Sequence, residues 1–212
     1  MATGCIASVL ESLGAEAAPF VGHALTLALS LISSTDESAA RANCAYMMRV
    51  LVESCPAHFN TTDAAAPLLE ALWTVAGSSE EIPAAVDNAV SATCSMVRCL
   101  SPEAVPLATV LPAILQSLPM RVDKTENSNG IRTIVHVLCV QREFVVVHCW
   151  AEMVTCVARI LASLTVEEEM KQVLVAEGLA PLIQSVSHKW RETCPQLLSA
   201  EQLTALERYG CC

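Results

Sequence analysis

The sequence lacks the features that mark several common protein classes. Only 16% of its 212 residues are charged, only 4% are aromatic, and glycines number seven. Lys and Arg form no cluster and the net charge is −10. Direct binding of nucleic acid is therefore not expected, because it depends on neutralising phosphates. Plentiful Ala and Leu beside scarce aromatics favour packed helices over strands.

Long uninterrupted apolar segments are also missing. The longest weakly charged stretch, 17–34, has Pro19, Gly22 and His23 in its first third, whereas a spanning helix takes about 20 consecutive apolar residues. No basic segment followed by an apolar one marks a secretory signal, and Ala2 gives no N-myristoylation motif. We therefore expect no membrane insertion.

The eleven cysteines form no CxxC pair. In a helical chain without a secretion signal, such cysteines are expected to be buried thiols. Pairs such as Cys55 with His58 lack the second pair that a zinc site needs, and structural roles are favoured over a Cys/His catalytic pair. Glycine motifs that bind phosphates or dinucleotides are absent. The sequence thus predicts no metal, no cofactor and no enzyme activity.

An internal repeat is the main positive signal. Four apolar segments begin with a similar proline motif, and the first three prolines are 48 and 45 residues apart. Three asparagines lie between these segments, 45 and 39 residues apart. Units of two helices recurring at about 40–47 residues are typical of HEAT and armadillo repeats, which stack because one unit cannot bury its own apolar face. The residues are Pro19, Pro67, Pro112 and Pro181, with Asn43, Asn88 and Asn127.

The spacing of apolar residues within a unit is helical, as in the face formed by Ala40, Cys44, Met47, Met48 and Leu51. One region offers an alternative. Residues 131–150 are rich in β-branched side chains and follow the turn dipeptide Asn129-Gly130, so a hairpin is conceivable. Helical spacing continues through this region, and helices are favoured.

The predicted fold is all-α, a right-handed α-solenoid of about four HEAT-type helical hairpins plus short terminal helices. The whole chain forms a single array in this interpretation. The approximate units are 17–55, 62–99, 102–141 and 143–187, where the last pair is 143–163 with 166–187 and its second helix is interrupted near Gly178-Leu179-Ala180-Pro181. A short helix at 3–13 precedes them and an end helix at 199–208 follows.

Several motifs resemble the importin-β (karyopherin-β) superfamily. They are Arg41-Ala42-Asn43-Cys44-Ala45, Val86-Asp87-Asn88-Ala89, the leucine-rich run 111–119, and Asp123-Lys124-Thr125-Glu126-Asn127. Within that superfamily they are most similar to the C-terminal HEAT repeats of the importin-four type, and the resemblance covers most of 15–210.

The resemblance implies a nuclear transport receptor that shuttles between cytoplasm and nucleus through nuclear pores, carries basic cargo proteins and binds Phe-Gly nucleoporins. Such receptors are several times longer and bind Ran GTPase mainly through N-terminal repeats, which nothing here matches. We therefore expect a fragment of a longer receptor, with Ran bound only through the missing repeats. The alternative is a generic HEAT-repeat scaffold or adaptor of a larger complex without a transport role.

Acids near the second helices are the predicted cargo-facing residues, since second helices line the concave surface of a HEAT stack. The alternative is that these carboxylates complement the positive N-terminal ends of helices. The three asparagines are predicted to form a structural ladder bonded to neighbouring backbone. The acids are Asp36, Glu37, Glu80, Glu81, Asp87, Asp123 and Glu126; the ladder is Asn43, Asn88 and Asn127.

The sequence ends in Gly210-Cys211-Cys212, which resembles the double-cysteine end of lipidated small GTPases. That modification requires a GTPase body, and this chain has no phosphate loop. The sequence therefore predicts a frayed, unmodified tail.

Overall fold

The computed structural model describes residues 2–211. Helices make up most of this range, and it contains no β-strand. The all-α class is therefore confirmed, and the region 131–150 is helical and not a hairpin. The right-handed solenoid stays a prediction.

The helices of the described range follow one another with short connections. A 3₁₀ segment, Gly14–Phe20, joins the first two, another is Pro56–His58, and a π-helical segment is Leu174–Leu179. The α-helices are α1 (Ala2–Leu13), α2 (Val21–Ser34), α3 (Ser38–Ser54), α4 (Thr62–Ala76), α5 (Pro83–Cys99), α6 (Leu107–Ser117), α7 (Lys124–Val140), α8 (Arg142–His148), α9 (Trp150–Ala162), α10 (Glu168–Val173), α11 (Ala180–Leu197) and α12 (Ala200–Arg208).

The chain divides into two compact units. Unit 1 comprises residues 1–110 and 121–126, and unit 2 comprises 111–120 and 127–212. The boundary passes through α6 and α7, so it does not follow the hairpins predicted from the repeat. The single array over 1–212 stays a prediction.

Unit 1 packs as two layers of helices. In one layer α3 lies between α1 and α5; in the other, α2 packs against α4. The layers meet where α2 contacts α3 and α4 contacts α5, which are the helix pairs predicted within 17–55 and 62–99. Large apolar side chains fill the space between the layers, because each amphipathic helix buries one face: Met47, Met48, Leu51, Leu68, Leu72 and Met96.

Several hydrogen bonds between the hairpins of unit 1 join residues that are about one repeat apart in the sequence. Asn88 Nδ2 donates to the Ala42 carbonyl, 46 residues away, and Arg98 donates to Glu53, 45 residues away. The hydroxyl of Thr62 donates to the Glu103 carbonyl at a separation of 41 residues. Equivalent positions of consecutive units are thus joined directly, as expected when neighbouring repeats stack.

The helical stretch Ala2–Ser34 is long and apolar enough to cross a membrane by length and composition alone. Its backbone, however, leaves the α-helix at Gly14, where φ is +55°. Positive φ strains a residue with a Cβ atom, and glycine tolerates it. The α-helices on either side have 12 and 14 residues and so measure about 18–21 Å, less than the roughly 30 Å of a bilayer core. Both pack on α3.

Unit 2 is organised around α9, which contacts α8, α11 and α12. The indole rings of Trp150 and Trp190 meet edge to face, with centroids 5.9 Å apart. Each indole N–H has a partner: Trp150 Nε1 donates to Thr193 Oγ1 at 2.9 Å, and Trp190 Nε1 donates to the Cys211 carbonyl at 2.7 Å. Buried indoles stabilise a core fully only when their N–H is satisfied.

The prediction of a frayed C-terminal tail is wrong for Cys211. This residue is only 4% exposed, and its carbonyl oxygen accepts the Trp190 bond. The end of the described chain is therefore part of the core of unit 2. Cys212 lies outside the described residues.

Several predicted boundaries were wrong for local reasons. The helix predicted from 102 starts at Leu107, directly after Pro106, because proline suits a first turn and restricts the residue before it. The helix predicted over 143–163 breaks at Cys149, and its two parts meet at 105°. The interruption predicted near Gly178-Leu179-Ala180-Pro181 lies at the end of the π-helical segment Leu174–Leu179, but α11 continues past the predicted end at 187 to Leu197, with non-helical backbone at Val186.

The Asn129-Gly130 dipeptide is helical and makes no turn. A Cβ atom on Gly130 would lie 2.5 Å from Leu118 Cδ2, a distance that real Cβ atoms do not tolerate. Glycine is present here because α7 passes close to the end of α6 and leaves no room for a Cβ atom. The sequence alone, in contrast, suggests a turn at this dipeptide.

Burial predicts an order of thiol reactivity. Cys5 and Cys139 are exposed, whereas burial raises the pKa of Cys44 to about 11 and that of Cys156 to about 12. Because the thiolate reacts and these buried thiols stay protonated below their raised pKa, alkylation at pH 8 should modify Cys5 and Cys139 first. Mass spectrometry of peptides would measure this, with the urea-unfolded chain as control. Equal native rates at Cys156 and Cys5 would contradict the packing.

Candidate protein-interaction surface

Three loops of unit 1 lie side by side along one edge. They precede the second helix of each hairpin and span 35–37, 77–82 and 121–123. The guanidinium of Arg41 joins the first two loops, since it contacts both the Thr35 carbonyl and the Glu81 carboxylate. Asp87, in α5, joins α5 to the third loop. We call these three loops the loop edge.

Part of the predicted acidic strip is exposed on the loop edge. Asp36, Glu37 and Glu80 are exposed, and Asp123 is half-buried. Asp123 also caps α7, because its Oδ1 accepts hydrogen bonds from the Thr125 backbone N–H at 3.1 Å and the Thr125 hydroxyl at 2.6 Å. Three carboxylates are thus exposed to solvent. Asp36 lies two residues before the first residue of α3, Glu37 lies directly before it, and Glu80 lies three residues before the first residue of α5.

The Asp87 carboxylate holds the third loop in place. It is 3% exposed and accepts hydrogen bonds from three consecutive backbone N–H groups, those of Arg121, Val122 and Asp123, at 2.8–3.2 Å. A buried carboxylate is stable only when its oxygens are bonded in this way. Asp87 is therefore occupied by the fold and does not face a ligand.

Glu81 and Glu126 are also occupied within unit 1. The Glu81 side chain is 3% exposed and pairs with Arg41. Glu126 is buried, accepts a hydrogen bond from the Ser91 hydroxyl and lies 3.5 Å from Arg49 Nη2. Of the seven predicted cargo-facing acids, the structure exposes Asp36, Glu37 and Glu80, leaves Asp123 half-buried, and buries the side chains of Glu81, Asp87 and Glu126.

Charged and polar side chains form a network across α1, α3 and α5. Arg49 lies at its centre, with Nη1 3.6 Å from Glu53 and its guanidinium 4.9 Å from the centre of the Tyr46 ring. Glu53 accepts hydrogen bonds from Ser95 at 2.6 Å and Arg98 at 3.0 Å. We call this set the polar network: Glu11, Tyr46, Arg49, Glu53, Ser91, Ser95, Arg98 and Glu126.

The polar network gives each of its three acids a bonding partner. Two arginines pair with its carboxylates, and Tyr46 donates to Glu11 Oε2 at 2.7 Å. Burial, together with the hydrogen bond to Glu11, raises the pKa of Tyr46, so its hydroxyl remains a proton donor at neutral pH. Because arginine and carboxylate side chains are paired on this face of α3 and α5, it is not a free acidic surface.

The three asparagines make different contacts. Asn43 packs against α1, where a Cβ on Gly4 would lie 3.3 Å from its Oδ1. Asn88 bonds the Ala42 carbonyl of α3 at 3.1 Å. Asn127 folds back on the preceding loop of unit 2, where its Oδ1 accepts from Met120 N–H at 2.7 Å. Two of them therefore contact the preceding helix of their layer, and the third closes a turn.

The residues described hold no evident metal site. Within 2–211 no group of three or more His, Cys, Asp or Glu side chains is placed to hold a metal ion. The prediction that the chain is not an enzyme stays a prediction.

The sequence reasoning missed the centre of the polar network. Tyr46, Arg49 and Glu53 lie on α3 at positions that a helical wheel places together, and Arg49 with Glu53 is an i,i+4 pair. Glu53 and Arg98 are 45 residues apart, which is the period of the repeat. Searching for opposite charges separated by that period would have found the pair.

No protein-family model matches the chain. Among curated proteins, the chain is similar to the "Probable importin subunit beta-4" of Schizosaccharomyces pombe (strain 972), with 24% identity over 208 residues. The alignment covers 95% of this chain but only 18% of that protein. The chain thus spans less than a fifth of the length of this relative, and the similarity points to an importin-β-like helical segment.

Replacing Asp87 with Asn should destabilise the chain measurably. An amide can accept with one atom only, so at least one of the three backbone N–H groups would lose its acceptor. Hydrogen bonds to a charged group contribute about 1.5–3 kcal/mol, and we expect a loss of about that size in the free energy of unfolding, measured by urea denaturation. Asp36→Asn, on the exposed loop, is the control and should change it by less than about 0.5 kcal/mol. Equal stability of the two variants would contradict the assigned role of Asp87.

Proposed function

We propose that this chain is a protein-binding segment of a nuclear transport receptor of the importin-β type and takes part in the nuclear import of basic cargo proteins. The observation that carries the proposal is the alignment of 95% of the chain with a protein named as a probable importin subunit. The paired helices of unit 1 and the importin-like motifs at 41–45 and 86–89 support it. In this proposal the chain has no catalytic activity and is found in both cytoplasm and nucleus.

The first two loops of the loop edge are the proposed cargo contact. Asp36, Glu37 and Glu80 are exposed there, and the guanidinium of Arg41 is occupied by Glu81 and the Thr35 carbonyl, whereas the exposed Arg121 lies on the third loop. Carboxylates held close together on ordered loops attract Lys and Arg side chains and raise the rate of association. The buried acids Glu81, Asp87 and Glu126 form no part of this contact.

Reversing the loop-edge charges should weaken binding of a basic peptide. For the variant Asp36→Lys, Glu37→Lys, Glu80→Lys we expect about tenfold or greater loss of affinity for an extended Lys/Arg-rich peptide at low salt. Exposed charge pairs contribute about 0.2–1 kcal/mol each and here become repulsive. Isothermal titration calorimetry is the measurement.

The matched control reverses three exposed acids of unit 2, Glu192, Glu201 and Glu207. It changes the net charge by the same amount and leaves the loop edge intact. If both triple variants lose affinity equally, only the overall charge matters, and the loop edge is not the cargo contact.

A second candidate function is a HEAT-type scaffold of a larger complex without a transport role. The stacking of α2 on α4 and of α3 on α5 would serve either function, because function is not determined by fold. Binding to Phe-Gly nucleoporin repeats separates the two. For a transport receptor we expect the purified chain to be retained on immobilised Phe-Gly repeats and released from repeats with Phe replaced by Ser; no retention would favour the scaffold.

A further inference from the structure

An apolar groove lies between α1 and the first half of α2, in unit 1. It has a volume of about 440 Å³, and its walls are almost entirely apolar. Large side chains remain open to solvent within it: Val9 is 59%, Phe20 52% and Leu27 38% exposed. Single exposed apolar residues are ordinary, but a contiguous group of this kind marks an interaction site.

The walls of the groove have the geometry of a seat for a third helix. Cys5, Val9 and Leu13 are spaced four residues apart on α1, and Phe20, His23 and Leu27 recur at helical spacing along the other wall. The two walls are rigidly connected by Gly14–Phe20 and both pack on α3. Side chains of an added helix fit between two such ridges, as in other helix-in-groove complexes.

The Asp, Glu, Lys and Arg residues of the segment that forms the groove are all acidic. Residues 1–40 contain no Lys or Arg, and Arg41 is the first basic residue of the chain. The same segment contains four acids, and Glu16 is exposed in the connection between the two walls. The helices that form the groove and their connection therefore combine an apolar floor with the exposed acids Glu11 and Glu16 and no Lys or Arg. The other two acids of the segment, Asp36 and Glu37, belong to the loop edge.

We propose that this groove binds an amphipathic α-helix of a partner protein whose apolar face enters the groove and whose polar face is rich in Lys and Arg. The charge selects this occupant. A second copy of the chain would bring a net charge of −10 against the same net charge, and an anionic membrane surface would also be repelled. The inference goes beyond the proposed function, because it concerns a surface separate from the loop edge.

The test uses the purified chain and three synthetic peptides of roughly five helical turns. The first has a Leu stripe at helical spacing and Lys on the remaining positions. The second has the same composition with the stripe scrambled, and the third has the same stripe with Glu in place of Lys. Fluorescence anisotropy measures affinity. Alkylation with a maleimide, read out for each cysteine by peptide mass spectrometry, reports the site directly, because Cys5 lines the groove whereas Cys139, the other exposed cysteine within 2–211, lies in unit 2.

We expect the striped Lys peptide to bind and to protect Cys5 but not Cys139 from alkylation. Val9→Asp should weaken this peptide by about tenfold or more, even though the added negative charge alone would attract it. The matched control is Leu164→Asp, which places the same charge on an exposed apolar residue of unit 2, outside both the groove and the loop edge, and should leave affinity unchanged. Cys5 protection in the unmutated chain keeps the test valid if Val9→Asp perturbs folding.

Each contrary outcome overturns the proposal in a different way. If the scrambled peptide binds equally well, the negative charge of the chain alone attracts the peptide. If the Glu peptide binds equally well, the groove accepts an apolar helix face whatever the charge of the other face. Cys5 protection without peptide, in a dimer detected by sedimentation, assigns the groove to a second copy. Protection by neutral phosphatidylcholine vesicles assigns it to lipid. Because the loop-edge triple variant should still show peptide-dependent Cys5 protection, failure here is distinguishable from failure of the proposed cargo contact.

Discussion

The structure of unit 1 depends on the burial of each second helix between its neighbours in the same layer. α3 is covered by α1 on one side and α5 on the other, and its apolar residues from Ala42 to Val52 are almost all buried. A helix of this kind has no stable existence alone, because its propensity to form is small beside the free energy of burial. Each helix therefore depends on the next one along the chain, and the polar contacts occupy the positions that this packing leaves at the layer surface.

Pairing of charges follows from that packing. Once α1, α3 and α5 lie side by side, polar residues one repeat apart come within bonding distance, as Glu53 and Arg98 do at 3.0 Å. An acid that lies between two such helices is paired with a side chain of the adjoining unit, whereas an acid on a loop is exposed unless, like Glu81, it reaches an arginine of the neighbouring hairpin. This explains why Glu126 is buried with Arg49 and Ser91 while Asp36 and Glu80 face solvent. Position relative to the layer decides whether a carboxylate is available to a partner.

The sequence predicted the helices well, because apolar periodicity records which face each helix buries. It predicted the breaks only in part. The interruption near Gly178 and Pro181 has a glycine and a proline to mark it, whereas the 105° bend at Cys149 carries no such signal. Gly130 shows the same limit, since Asn129-Gly130 offers a hairpin as the alternative to a helix and the contact with Leu118 that explains the glycine is not visible in the local sequence.

The candidate interaction surface was predicted only in part for a similar reason. The sequence identifies the acids near the second helices, and those at 36, 37 and 80 are indeed exposed. It does not identify Arg41 as the partner of Glu81, or three backbone N–H groups as the partners of Asp87, because these contacts join residues 34–40 positions apart. Whether a charged group is paired or exposed depends on its neighbours in the folded chain, and composition and local motifs do not identify those neighbours.

Most bonds between the hairpins of unit 1 reach about one repeat along the chain, as from Asn88 to Ala42 or from Arg98 to Glu53. Interactions of this range tie a hairpin mainly to its immediate neighbour, and the ion pair of Arg49 with Glu126 is a longer-range exception. Over evolutionary time, an insertion in one connecting loop shifts a single junction and leaves the others in register. Such a chain tolerates the gain, loss or rapid divergence of individual repeats, so that strong structural relatedness can persist where sequence identity has become very low.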